Sequence, residues 1–101
     1  MSEYKTLYLS KEDSVAVALS EIPEKTSVVV KADQDDLAVT VTILEPIRFG
    51  HKFAVKAIEH GADIIKYGEV IGAASAFIPA GAHVHVHNLE GKRGRGDKIA
   101  E

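Results

Sequence analysis

Cysteine is absent from the 101 residues, which excludes a disulfide scaffold, a thiolate nucleophile and any iron–sulfur or zinc–thiolate centre built from this chain. A basic excess is absent too. With 12 Lys and Arg against 15 Asp and Glu, the formal charge is −3, so nothing favours displacing counterions from a nucleic-acid backbone. No stretch approaches the roughly 18 apolar residues that a membrane span needs. The opening residues Met1 to Thr6 lack the basic start and apolar run of a secretory signal. The expected compartment is therefore the cytoplasm, with neither nucleic acid nor membrane as partner. A Ser-His-Asp order, a phosphate-binding Gly-Lys-Ser/Thr loop and a dinucleotide fingerprint are likewise missing.

What remains has the proportions of one small globular domain, 46% apolar and 27% charged. Residues 4–9 alternate like a short strand. Asp13 and Ser14 could cap a short helix over Val15 to Leu19, ending before Pro23, although its valines make that helix weak by propensity. From Thr26 the signal is β. Three valines lie within 26–32, and 37–44 alternates with Leu37, Val39, Val41 and Ile43 on one face. Further short strands are expected over 51–58, 63–67, 69–76 and 82–89, each bounded by Gly or Pro. The expected class is mainly β, with one short helix near the N-terminus.

A repeated turn supports this reading. Ile47-x-x-Gly50-x-x-Phe53, Ile58-x-x-Gly61-x-x-Ile64 and Ile78-x-x-Gly81-x-x-Val84 share one form, and Ile22-x-x-Lys25-x-x-Val28 is a degenerate copy. The pattern predicts a corner whose fourth residue takes positive φ between two buried anchors. Their irregular spacing marks a recurrent corner rather than a solenoid. The domain is expected to end near residue 89. The segment 90–101, rich in Gly, Arg and Lys, reads as a flexible tail that could order on a partner.

The densest polar cluster is His83, His85, His87 and Asn88. On a strand all three imidazoles would share one face, about 6.6 Å apart at alternate positions, with Val84 and Val86 turned to the core. Two such imidazoles can reach one metal ion or one acidic ligand; a solvated His-rich face is the plain alternative. The pattern leaves open which imidazole acts and whether a metal is involved. His51 and Lys52 follow a glycine corner that does not require them, and suit binding of a carboxylate. Lys66 and Tyr67 could supply a general acid or a donor to an oxyanion, against the commoner reading of surface Lys and packed Tyr. Arg93 and Arg95 could clamp a carboxylate or the acidic surface of another chain.

Taken in order, Asp13 to Leu19, Ile47-x-x-Gly50-His51-Lys52-Phe53-Ala54, Ile65-Lys66-Tyr67-Gly68, Ile71-Gly72, Val84 to Asn88 and Arg93 to Asp97 resemble the N-terminal SAF domain of the altronate and galactarate dehydratase family. The resemblance covers nearly the whole chain. It implies a β-clip fold and a small domain or subunit that accompanies a much larger catalytic component. The larger part removes water from a sugar acid with a divalent metal of the Fe or Mn type, held mostly outside this chain. One lineage of the family looks like sulfolactate sulfo-lyase and eliminates sulfite instead. The sequence stops just past Asp97, where a fused relative would continue; if it is whole, the large component is expected to be either another polypeptide or absent. On this expectation His51, Lys52, His85 and His87 are catalytic, and His85 or His87 is a proton carrier or metal ligand. Lys66, Tyr67 and Asn88 bind the small acidic sugar, and Arg93 and Arg95 dock the partner. Two other readings compete: a stand-alone module for acidic sugars, and a metal-binding or storage protein built on the His run. Exposed strand edges make a homo-oligomer plausible.

Overall fold

The computed structural model describes residues 4–34 and 36–91. Nine short strands make up the regular structure: β1 (Thr6–Leu7), β2 (Val15–Ala18), β3 (Ser27–Lys31), β4 (Ala38–Thr42), β5 (Lys52–Ala54), β6 (Asp63–Lys66), β7 (Glu69–Ala74), β8 (His83–Val84) and β9 (Leu89–Glu90). They form three antiparallel sheets ordered β1-β2-β5-β8, β3-β4 and β6-β7-β9. The segment expected to be helical is instead β2, and no helix occurs among the described residues.

The reason lies in where β2 sits. Val15 packs into one buried cluster with Ile58, Ile64, Ile78 and Val84, whereas Ala16 and Ala18 pack into the other with Tyr8, Ile22, Ile47 and Phe53. A strand covered on both faces shows no polar alternation, so its apolar run cannot be told from a buried helix by pattern alone. In the β3–β4 hairpin, by contrast, one face meets solvent and the alternation holds: Val28, Val30 and Val41 are buried while Val29, Thr40 and Thr42 are exposed.

All four repeated corners have the expected backbone. Lys25, Gly50, Gly61 and Gly81 take φ of 65°, 84°, 89° and 92°, and each flanking anchor from Ile22 to Val84 is buried. The corners also pair. Ile22 bridges Ile47 and Ile58 bridges Ile78, each through two reciprocal backbone bonds of 2.8 Å. Equivalent bonds recur around them: Gly50 N–H donates to Ala18 C=O as Gly81 N–H donates to Ala54 C=O, and Lys25 N–H donates to Ile43 C=O as Gly61 N–H donates to Ala74 C=O. The domain is thus one strand–corner–hairpin–corner–strand unit used twice. It runs first from β2 to β5, then from β5 to β8, with β5 common to both.

Candidate functional site

The β5–β8 pairing assembles the histidines. Phe53 faces His83 and Lys52 faces Val84, so one further step along the ladder sets His51 against His85. The rings of His51 and His83 stack at 5.0 Å, and His85 lies 5.3 Å from His51 and 5.5 Å from His83. His87 lies 5.5 Å from His83. His51 Nδ1 and His83 Nε2 are 2.9 Å apart. That contact is a hydrogen bond, which requires one nitrogen to carry the proton and the other to offer its lone pair.

These imidazoles do not come from one straight strand. Within the segment 82–89 only His83 and Val84 pair with β5, and Leu89 already begins β9. Asn88 turns the chain: its side-chain carbonyl accepts from His85 N–H at 3.0 Å and its amide donates to His83 C=O at 2.9 Å. The backbone N–H groups of Asn88 and Leu89 both donate to His85 C=O. Leu89 and Glu90 then join β7 rather than β5. Val86, expected in the core, is instead 78% exposed at the tip of this turn. Asn88, expected to contact substrate, has both ends of its amide engaged in shaping the turn.

His83 is the hub of the cluster. Its ring touches the other three imidazoles, and its backbone N–H donates to Glu45 Oε2 at 3.1 Å. Burial first, then the neighbouring His51 and His87, hold its pKa below the usual histidine value; Glu45 opposes this. The sequence pattern included His83 in the run but assigned roles only to His85 and His87. Glu45 carried no signal, standing 38 positions away in sequence.

Lys52, Lys66 and Tyr67 form a second group on the other side of the β5–β8 ribbon. Because consecutive strand residues point to opposite faces, Lys52 lies with Val84, away from the face that Phe53 shares with His83. Burial, and then the positive charge of Lys66, lower the pKa of Lys52. Lys66 Nζ sits 5.0 Å from the centre of the Tyr67 ring, within reach of a cation–π attraction. Burial, then the Asp13 carboxylate, raise the Tyr67 pKa, which keeps the phenol protonated and a donor near neutrality.

Asp13 holds this second group in place. Its fully buried carboxylate accepts from Tyr67 N–H at 3.1 Å, Gly68 N–H at 2.9 Å and Leu9 N–H at 3.2 Å. Ser14 adds a reciprocal pair with Ile65: its hydroxyl accepts from Ile65 N–H and its own N–H donates to Ile65 C=O. Asp13 and Ser14 therefore cap the β6–β7 turn, where Tyr67 and Gly68 take φ of 56° and 78°, rather than a helix. Their residue types gave the capping signal; only the partner differed.

Among the described residues, no group of three or more His, Asp or Glu side chains is arranged to hold a metal ion. His85 and His87 could at most contribute to a coordination sphere completed elsewhere. An open depression of about 310 Å³ lies at the tip of the β3–β4 hairpin, lined by Lys31, Ala32, Asp36, Leu37 and Ala38. None of the expected site residues lines it. Arg93 and Arg95 lie outside the described residues.

Residues 4–92 match the family model described as the altronate/galactarate dehydratase SAF domain. The chain belongs to this family. As a SAF domain it is 49% identical over 76 residues to an altronate dehydratase of Escherichia coli, covering 75% of this chain and 14% of that protein. An altronate dehydratase of Bacillus subtilis is 35% identical over 82 residues, 81% of this chain and 15% of the relative. The SAF chain therefore spans only about a seventh of these two enzymes. The proportion reverses for the (2R)-sulfolactate sulfo-lyase subunit alpha of Paracoccus pantotrophus, 43% identical over 65 residues, 64% of this chain and 94% of the subunit. Two of these relatives are named dehydratases and the third a sulfo-lyase subunit.

Proposed function

We propose that this SAF chain is the small subunit of a two-component lyase whose larger chain completes the reaction centre. The observation that carries the reading is coverage: the relatives matched over nearly their whole length, 94% and 88%, are named as subunits of a sulfo-lyase. The surface agrees with it. The imidazole cluster is partly open, and none of its residues lines the hairpin-tip depression, whereas small-substrate sites are usually enclosed.

Elimination β to a carboxylate needs a base for the α-proton, an acid for the leaving group and stabilisation of enolate-like charge. The hydrogen-bonded His51–His83 pair, with His85 and His87 against it, can take up and pass on one proton. It cannot easily hold two, because adjacent imidazolium charges repel. Lys52, Lys66 and the protonated Tyr67 offer cations and a donor to an acid group. They lie on the opposite face, so contact with the same substrate would require the larger chain to bring it around the ribbon edge. The Fe- or Mn-type metal that the family resemblance implies is assigned to the larger chain, where it would act as a Lewis acid toward the leaving group.

Sulfite is the leaving group this reading favours, since the relatives matched over nearly their whole length are sulfo-lyase subunits. Loss of water from a sugar acid such as altronate is the second reading, supported by the higher identity to the E. coli dehydratase. Reconstitution with the larger chain decides between them. Sulfite release from (2R)-sulfolactate only in the mixture is expected. Water loss from altronate in its place selects the second reading, and turnover by the small chain alone refutes the subunit assignment.

A further inference from the structure

The large apolar side chains most exposed among the described residues are Val86, at 78%, and Phe49, at 68%. Both sit on the turns that deliver the histidines. Val86 lies between His85 and His87, and Phe49 is two residues before His51. Leu44, half exposed, precedes the Glu45 whose carboxylate accepts from the backbone N–H of His83. The repeated corner supplies an internal control. The position that Phe49 occupies is Glu24, His60 and Ala80 in the other three copies, so the corner itself has no need of an aromatic there. An aromatic side chain held in water beside a cluster of polar groups is the usual composition of an interface centre rather than of a free surface.

We infer that Phe49, Val86 and Leu44 form the rim on which the larger chain of the lyase docks, closing over His51, His83, His85 and His87. The inference rests on the subunit reading above and adds which face the partner covers. The occupant is chosen from the relatives. Those matched over nearly their whole length are named subunits, and the altronate dehydratases carry the same region within a chain about seven times longer. Docking here removes the most exposed apolar groups from water and places the imidazoles in a drier environment, where their hydrogen bonds and charges act more strongly.

The test uses the full chain and the purified larger chain of the reconstituted lyase, titrated by calorimetry. Phe49→Asp and Val86→Asp are expected to weaken binding about tenfold or more, as loss of a central apolar anchor does. Val29→Asp, at a half-exposed valine on β3, is expected to leave it unchanged. Thermal melts check that each variant is folded, and Phe49→Ala, with a smaller loss of the same sign, serves if the charged variant is not. Wild-type affinity in Phe49→Asp and Val86→Asp, or equal weakening by Val29→Asp, overturns the docking face while leaving the subunit reading intact. No binding by the wild-type pair overturns both. A wild-type dimer that Phe49→Asp dissolves, with association to the larger chain unaffected, would show the rim to be covered by a second copy and overturn the choice of partner.

Discussion

Replacing Asp13 by alanine removes, in one step, the acceptor of three backbone N–H groups: Leu9, Tyr67 and Gly68. All three bonds go to a carboxylate with no exposed surface, and hydrogen bonds to charged groups in such sites contribute about 1.5–3 kcal/mol each. The bonds share one carboxylate and the space left by the side chain could admit water, so the sum is not additive. A loss of about 3–4 kcal/mol is expected, a large fraction of the roughly 5–15 kcal/mol that holds a domain of this size together. Urea unfolding followed by tyrosine fluorescence measures it, since the chain has three Tyr and no Trp. Asp13→Asn should fall between wild type and alanine: it keeps one carbonyl acceptor but turns an amide N–H₂ toward backbone donors. The turn itself should register the change, with the amide resonances of Tyr67 and Gly68 broadened or shifted while those of the β3–β4 hairpin stay put. If Asp13→Ala costs less than about 1 kcal/mol, the carboxylate is not the clamp its geometry indicates.

Three further outcomes follow from the same structure. The His83 pKa lies below 6.5 in the folded chain, so just below that value the unfolded chain binds more protons; stability is full above it and declines as pH falls through the window, a slope in urea midpoint that His83→Gln should flatten. Lys52, whose pKa is lowered by burial and by Lys66, carries at neutral pH a charge that folding disfavours; Lys52→Met should raise the unfolding midpoint at pH 7 while impairing turnover in the reconstituted enzyme, and a lowered midpoint would contradict the assignment. Gly61→Ala and Gly81→Ala both force positive φ on a side chain, at about 1–2 kcal/mol, but only at position 81 would the new Cβ collide with the backbone of Thr42; Gly81→Ala should therefore cost about 2 kcal/mol more, and equal losses in paired melts would refute that packing.

The corners were legible because their signal is local. An anchor, a positive-φ position and a second anchor stand within seven residues, and even Lys25, in the degenerate copy, takes the same backbone as its glycine counterparts. The β3–β4 hairpin was legible because solvent meets one of its faces. The segment 15–18 was not, since two cores cover it and erase the alternation that separates strand from helix. The histidines illustrate a third case. Residue type and density singled out side chains that the structure brings together, but the straight-strand geometry fails at Asn88, whose amide replaces strand partners with bonds to His83 and His85. Glu45 and the clamp function of Asp13 depend on contacts 38 to 55 positions away, and no local pattern carries such pairings.

The doubled unit explains why the candidate site residues separate into two groups. Corner by corner, Gly50 corresponds to Gly81, so Lys52 corresponds to His83 and Phe53 to Val84. Phe53 anchors the first core and Val84 the second, and the two strands pair in antiparallel register across the shared ribbon. Each residue preceding an anchor must then point toward the opposite core's side. Lys52 is sent to the face where Lys66 and Tyr67 lie, and His83 to the face where His51 and His85 lie. One corner geometry, used twice around β5, thus sets a cationic face and an imidazole face back to back, with their separation fixed by the thickness of a two-stranded ribbon. A partner that uses both faces must wrap the edge at β8, next to the turn that carries Val86, because β2 already covers the other edge of β5.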